Sequence, residues 1–152
     1  MKNIRKNFQK AFTLVELLVV IGILAILTAV VLVAVNPARQ LQQARDTERR
    51  AEINAILSAI TAYIADPDNL GAVPSTGGTI DTCPTMSTVG TDTGNVNLST
   101  DLVTLYIADI PIDPSGATAG DTAYEVCQSA ADGRITVSAP NAEGVTGMSV
   151  TR

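Results

Sequence analysis

The first residue able to do chemistry in this chain is a carboxylate in an unfavourable place. Glu16 lies in KAFTLVELLVVIGILAIL (10–27), a run that is otherwise almost wholly apolar beyond Lys10. A carboxylate at the centre of a membrane helix costs about 2.5–3.5 kcal/mol on insertion scales, and less near the interface. Next come two cysteines, Cys83 and Cys127, without C-x-x-C spacing, and three acids, Asp109, Asp113 and Asp121, close to prolines. Oxygen-rich loops bind calcium, so the three Asp are candidate metal ligands. Their spacing matches no EF-hand, and ordinary solvated acids are the plainer reading. The chain has no His, the usual ligand of zinc and non-haem iron and the usual acid–base group near neutral pH. It also has no GxSxG, no Walker loop and no Cys–His pair, the signatures of common catalytic and phosphate-binding sites. The expectation is a protein that is not an enzyme and has no cofactor, calcium excepted.

The elements that position these residues begin with Leu17–Val35, nineteen residues without a charge. At 1.5 Å per residue they span ~28 Å, a bilayer core. Lys2, Arg5, Lys6 and Lys10, four of the ten basic residues, precede the run. The positive-inside tendency places them in the cytoplasm and everything after Asn36 outside. Beyond Ala11, six Arg face all fifteen acids. So acidic a body lacks the clustered cations that nucleic acid requires, and no direct nucleic acid binding is expected. In an exported chain Cys83 and Cys127 are expected to pair. The bridge would close a loop of about 45 residues and contribute ~4 kcal/mol at most by chain entropy. With aromatics at 3%, a large aromatic core is not expected, and such a tie is useful.

Three readings of the apolar run compete. A secretory signal has a shorter apolar core and a small-residue cut after it. A plain membrane anchor fits the length but leaves Glu16 unexplained. The third is a segment cut before the apolar run. Lys10-Ala11-Phe12-Thr13-Leu14-Val15-Glu16 followed by LLVVIGILAIL resembles the class III signal of type IV prepilins and type II secretion pseudopilins. The resemblance implies cleavage by a prepilin peptidase between Ala11 and Phe12, N-methylation of Phe12, and an acid, Glu16, fifth in the mature chain. The usual residue before the cut is Gly; here it is Ala11.

The family implies a homopolymer that also contains minor pilins and is built by an inner-membrane assembly platform and motor. The precursor would lie in the cytoplasmic membrane, and the assembled filament would be extracellular or periplasmic. Alternatives are the major pseudopilin of a type II secretion system, a family known for a calcium site near the turn that holds the three Asp, and a signal-anchored extracytoplasmic binding module. Cleavage creates a free α-amino group at Phe12. Glu16 of one subunit and that amine of another can pair when one helix is displaced along its axis, which makes Glu16 a register device. Support of the helix N-terminus through its dipole is the simpler alternative.

Pro37 either kinks or restarts the helix, because it lacks an N–H and clashes with the carbonyl of Val33. Ala38–Ala65 is rich in helix formers. Ile53, Ile56, Leu57, Ile60, Tyr63 and Ile64 recur at three and four spacing, a stripe that should pack on a sheet. The expectation is one long helix from about Thr13 to Ala65, bent at Pro37. Its first half, 12–35, would be the membrane and assembly segment. Its second half, 36–66, would be amphipathic and end at Asp66-Pro67. The mixed charges Arg45, Asp46, Glu48, Arg49, Arg50 and Glu52 read equally as a solvated face with intrahelical pairs or as salt bridges between subunits.

A head would occupy 67–152. Asn69–Thr104 reads as a long hydroxyl-rich loop, with room for short strands, and has a glycosylation triplet at Asn97-Leu98-Ser99. Ile110–Pro114 reads as a stiff turn, a Pro-x-Asp-Pro step that also resembles major pseudopilins. Thr122–Gln128 and Arg134–Ala139 read as a hairpin about Ala131-Asp132-Gly133, and Val145–Val150 adds a third strand. Tyr124, Val126, Ile135 and Val137 should cover the helix stripe. The expected class is α+β, the lollipop layout of pilins: a long N-terminal helix on an antiparallel sheet of about three strands.

Overall fold

The computed structural model describes residues 12–152. The leader 1–11, with the expected cleavage residue Ala11, lies outside the described residues. The layout is α+β: an apolar helix α1 (Leu14–Val35), a second helix α2 (Pro37–Ala65), and a four-stranded antiparallel sheet. The strands β1 (Ser87–Thr88), β2 (Glu125–Gln128), β3 (Ile135–Ala139) and β4 (Met148–Thr151) lie in the order β1-β2-β3-β4. A one-turn helix α3 (Ser99–Leu102) precedes β2. The chain divides into two compact units, one ending at Gln40 and one covering Leu41–Arg152.

The single helix expected from Thr13 to Ala65 is instead two. Asn36 between them is left-handed, with φ 45° and ψ 81°. Proline disfavours αR in the residue before it, and Asn tolerates the left-handed region better than most residues. Asn36 then caps α2, since its Oδ1 accepts from the Arg39 N–H at 3.3 Å. Pro37 occupies the first helical position, where a missing N–H costs nothing. The proline restarts the helix rather than bending it.

The unit 41–152 forms its core between α2 and the sheet. Ile53, Ile56, Leu57 and Ile60 are buried, and Tyr63 and Ile64 pack against the cluster. Tyr124, Val126, Ile135 and Val137 are buried in the same cluster, so the expected stripe and the expected hairpin do meet. The inward parity is clean in β3, where Ile135, Val137 and Ala139 are buried and Thr136 and Ser138 are less so. The register pairs Val126 with Val137 and Val137 with Val150.

Two expectations need correction. The sheet has four strands rather than about three, because Ser87–Thr88 pairs with Val126 and Glu125 as a short edge. The segment read as a long loop also builds the core: Ile80, Val89, Val96, Leu98 and Leu102 are all buried. These apolar residues stand singly among Thr, Ser and Gly, so no periodicity announced them. Close backbone approaches hold the segment. Gly90 lies where an added Cβ would be 2.1 Å from the Gly120 carbonyl, and Gly77 where it would be 2.1 Å from the Asn97 carbonyl.

Cys83 and Cys127 form a disulfide across a sequence separation of 44. It ties this segment to β2, as does the Cys83 N–H donating to the Gln128 carbonyl at 3.0 Å, and the Val89 N–H donates to the carbonyl of Tyr124, just before β2, at 2.8 Å. Removing the bridge lets the denatured chain expand over that loop. Cys127→Ser should lower the stability of the head by up to about 4 kcal/mol, as read from the shift in denaturant midpoint against the oxidised protein.

Candidate functional site

The candidate site nearest the N-terminus is built on the first turn of α1. Phe12 precedes the helix and is exposed. Thr13 is the N-cap, with extended backbone, and its Oγ1 accepts from the Glu16 N–H at 3.3 Å. Threonine at the cap and Glu three residues on is the capping-box arrangement. Only the threonine half forms. Among the described residues the Glu16 carboxylate makes no hydrogen bond and no ion pair. Phe12 and Glu16 are four residues apart at the helix start, about one turn.

The 22 residues of α1 rise about 33 Å, and none of them is buried. The helix is apolar and long enough to cross a membrane. Its one polar side chain after Glu16, Thr28, is satisfied internally by donating to the Leu24 carbonyl at 2.8 Å. That back-bond is what a hydroxyl in lipid requires, since water is absent.

The second site lies in the head and is an ion cluster. Arg49 is wholly buried. Its Nε donates to Asp113 Oδ2 at 2.7 Å and its Nη2 to Asp113 Oδ1 at 3.2 Å, a bidentate fork. Its Nη1 donates to Asp46 Oδ1 at 2.8 Å and to Glu143 Oε1 at 3.4 Å, and Nη2 also donates to the Ser115 hydroxyl. Asp46 in turn accepts from the backbone N–H groups of Glu143 and Gly144 at 2.9 and 2.6 Å. Arg45 forks onto Glu143 at 2.6 Å through both nitrogens. Next to the cluster on α2, the Tyr124 hydroxyl donates to Glu52.

The electrostatics follow from these contacts. The Asp113 fork, against the opposing effect of burial, raises the Arg49 guanidinium still further above its ordinary value. Burial alone would push Asp113 up, but Arg49 and Ser115 outweigh it and hold it low. Asp46 is held low first by the Glu143 N–H, and Glu143 first by the Arg45 fork. Glu52 moves the other way: burial raises it despite the Tyr124 bond.

The sequence-expected site residues are dispersed. Asp113, one of the three calcium candidates, is committed to Arg49. Asp109 and Asp121 are exposed and accept from the backbone N–H groups of Ile110 and Ala123, at 2.8 and 2.9 Å. Among the described residues no group of three or more His, Cys, Asp or Glu is placed to hold a metal ion. Asn97 turns its Oδ1 onto the Ser99 N–H at 3.1 Å and onto the Ser99 hydroxyl, while Leu98 between them is buried.

The charged stretch 45–52 divides: Glu48 and Arg50 are exposed, whereas Arg45, Asp46, Arg49 and Glu52 meet partners 64 to 98 residues away, beside the one intrahelical pair Asp46–Arg49. The missed signal is positional: 46 and 49 continue the spacing of 53, 56 and 60, so Asp46 and Arg49 fall on the buried stripe.

Together, an apolar helix long enough to cross a membrane, with a capped acidic start, then a second helix and an antiparallel sheet, form an α+β layout consistent with the pilin fold and with a membrane-anchored precursor. Residues 6–32 match the prokaryotic N-terminal methylation motif. The chain thus carries the class III signal of type IV pilins and pseudopilins, on 27 of its 152 residues. No curated protein and no solved structure matches the chain.

Breaking a buried pair from one side leaves an uncompensated charge and costs about 3–5 kcal/mol, so Arg49→Ala should destabilise the head by about that much in chemical denaturation. Asp46, Asp113 and Glu143 have folded pKa values below their unfolded ones. Their stabilising contribution is complete above the unfolded carboxylate range, near pH ~4, and is lost as pH falls through the lower folded values. Arg49→Ala should therefore flatten the acid limb of a stability-versus-pH curve.

Proposed function

We propose that this chain is the structural subunit of a type IV pilus-like filament, with an assembly role rather than a catalytic one. Prepilin peptidase cuts between Ala11 and Phe12, Phe12 is N-methylated, and α1 moves from the membrane into a bundle of like helices. The single observation that carries this reading is Glu16. Its carboxylate is unused by its own helix and lies one turn from Phe12 on a helix with no buried residue.

Before assembly the headgroup region reaches both groups, so the acid is tolerated. In a bundle of α1 helices it would be surrounded by apolar side chains, where an unpaired charge is heavily penalised. The amine released at Phe12 of a neighbour is the cation of the right sign at the right depth. Axial displacement by about a turn brings the two together, so the pair sets the register of one subunit on the next. Minor pilins and the inner-membrane platform and motor would be the partners of this step. The Pro-x-Asp-Pro turn favours a major pseudopilin as the second reading, and sheared surface filaments containing this chain would argue for the pilus.

N-terminal sequencing and mass measurement of the subunit from cells should return N-methylated Phe12. Glu16→Ala should be cleaved and methylated normally yet yield about tenfold fewer filaments or less, counted by electron microscopy after shearing. Wild-type yield from Glu16→Ala would rule out the register role. An intact Met1 would indicate a simple anchor.

A further inference from the structure

One edge of the head's sheet is unguarded. Among the described residues strand β4 pairs with β3 alone. Ile135 and Arg152 exchange both backbone bonds, at 2.9 and 3.0 Å, and such pairs alternate with non-bonded ones along an antiparallel ladder. Val150 and Met148 therefore bond inward to β3, while Ser149 and Thr151 turn their N–H and C=O groups outward. Both residues are exposed. Natural edges are blunted by shortness, lysine, proline or a bulge. Met148–Thr151 carries no charge and no proline, and its register with β3 runs unbroken over four residues. The opposite edge, β1, is only two residues long.

Beside the β4 edge lies a cleft of about 210 Å³ between that strand and α2, lined by Arg50, Ile53, Asn54, Val145, Met148 and Val150 among others. Arg50 is exposed and makes no ion pair among the described residues. The unit 41–152 holds five Arg against fourteen acids, and Arg45 and Arg49 are taken up by the cluster. A second head approaching this one meets repulsion over most of the surface and attraction at this edge, at Arg50 and at Arg152, which follows β4, is exposed and makes no ion pair among the described residues.

We propose that the β4 edge and the Arg50 cleft receive an extended, acid-bearing segment of a second copy of this chain, added to the sheet as a fifth strand. The inference rests on the filament reading, which brings copies together at high local concentration. Subunits of a polar filament are related head to tail, so the contact is heterologous and the incoming segment is not β4 itself. Main-chain bonds to Ser149 and Thr151 supply adhesion, and Arg50 with the cleft selects the side chains.

The test places a photo-crosslinking benzophenone amino acid at Val145 of the full-length chain, in cells that make filaments. Sheared filaments should give a crosslinked homodimer after illumination. Ser149→Pro removes an N–H that faces away from β3, so it spares the intramolecular ladder. Arg50→Glu reverses the cation that lines the cleft. Each should lower the homodimer yield about fivefold, the equivalent of one interstrand bond or ion pair, with the melting temperature unchanged. A crosslink to a different protein, no crosslink in filaments whose subunits start at Phe12, or an unchanged yield in both variants would overturn the inference. Subunits that do not start at Phe12, or cells without filaments, would instead sink the filament reading and this inference with it.

Discussion

The order of the head depends on one buried cation. Arg49 has no exposed side-chain surface, and it meets carboxylates from α2, from the turn at Asp113 and from the segment at Glu143. Those three stretches are distant in sequence and share no strand with one another. Burying a guanidinium is favourable only when nearly every donor is used. Here Nε, Nη1 and Nη2 all find acceptors, and no buried side-chain nitrogen or oxygen is left without a partner among the described residues. The cluster specifies an arrangement more than it contributes net stability. A wrong register of α2 against the sheet would leave Arg49 or Asp113 alone in an apolar setting, which is far costlier than losing one methyl contact.

The two helices divide the work of burial. Helix α2 buries a stripe against its own sheet. Helix α1 buries nothing, although it holds the highest density of apolar residues in the chain. A single chain of this size cannot both expose such a helix to water and remain soluble. Its surface must be covered by lipid or by other helices, and lipid and protein offer nearly equal apolar surroundings. Exchange between them is therefore cheap for every residue of α1 except the charged one. The Asn36 break fits this division, since it ends the helix that needs partners before the helix that has its own sheet.

Much of this was legible in sequence. The membrane helix, the α2 stripe and the C-terminal hairpin follow from period and length, because each is a repeated signal. Of the two readings at Pro37 the restart holds and the continuous helix does not, as Asn-Pro names both a left-handed residue and a helix start. The segment 69–104 is the loop with a short strand that its composition suggests, but its share of the core was not readable, because its buried residues are isolated and its order comes from the disulfide and from close backbone approaches. Arg49 was hidden by its type. Charged residues are almost never fully buried, and its partners Asp113 and Glu143 are brought to it only by tertiary structure. Its place on the 46-49-53-56-60 stripe was the readable clue.

Glu16 shows how magnitudes choose between two roles. As an acid in the first turn it gains about 0.3–1 kcal/mol from the helix dipole, and any of several polar residues could serve there. The capping box would add more, but its glutamate half is not formed, and Thr13 alone satisfies the Glu16 N–H. Against this stands a penalty of up to about 2.5–3.5 kcal/mol if the carboxylate is drawn to the depth of the apolar core. A helix-start role leaves that penalty uncovered whenever α1 is enclosed by other helices. A cation from a neighbouring chain removes it, and it also ties the removal to one axial offset, because at any other offset the two charges are apart and each is exposed to hydrocarbon. Under the proposed filament role, the same carboxylate would be tolerable in the membrane, costly in a misaligned bundle and compensated in an aligned one.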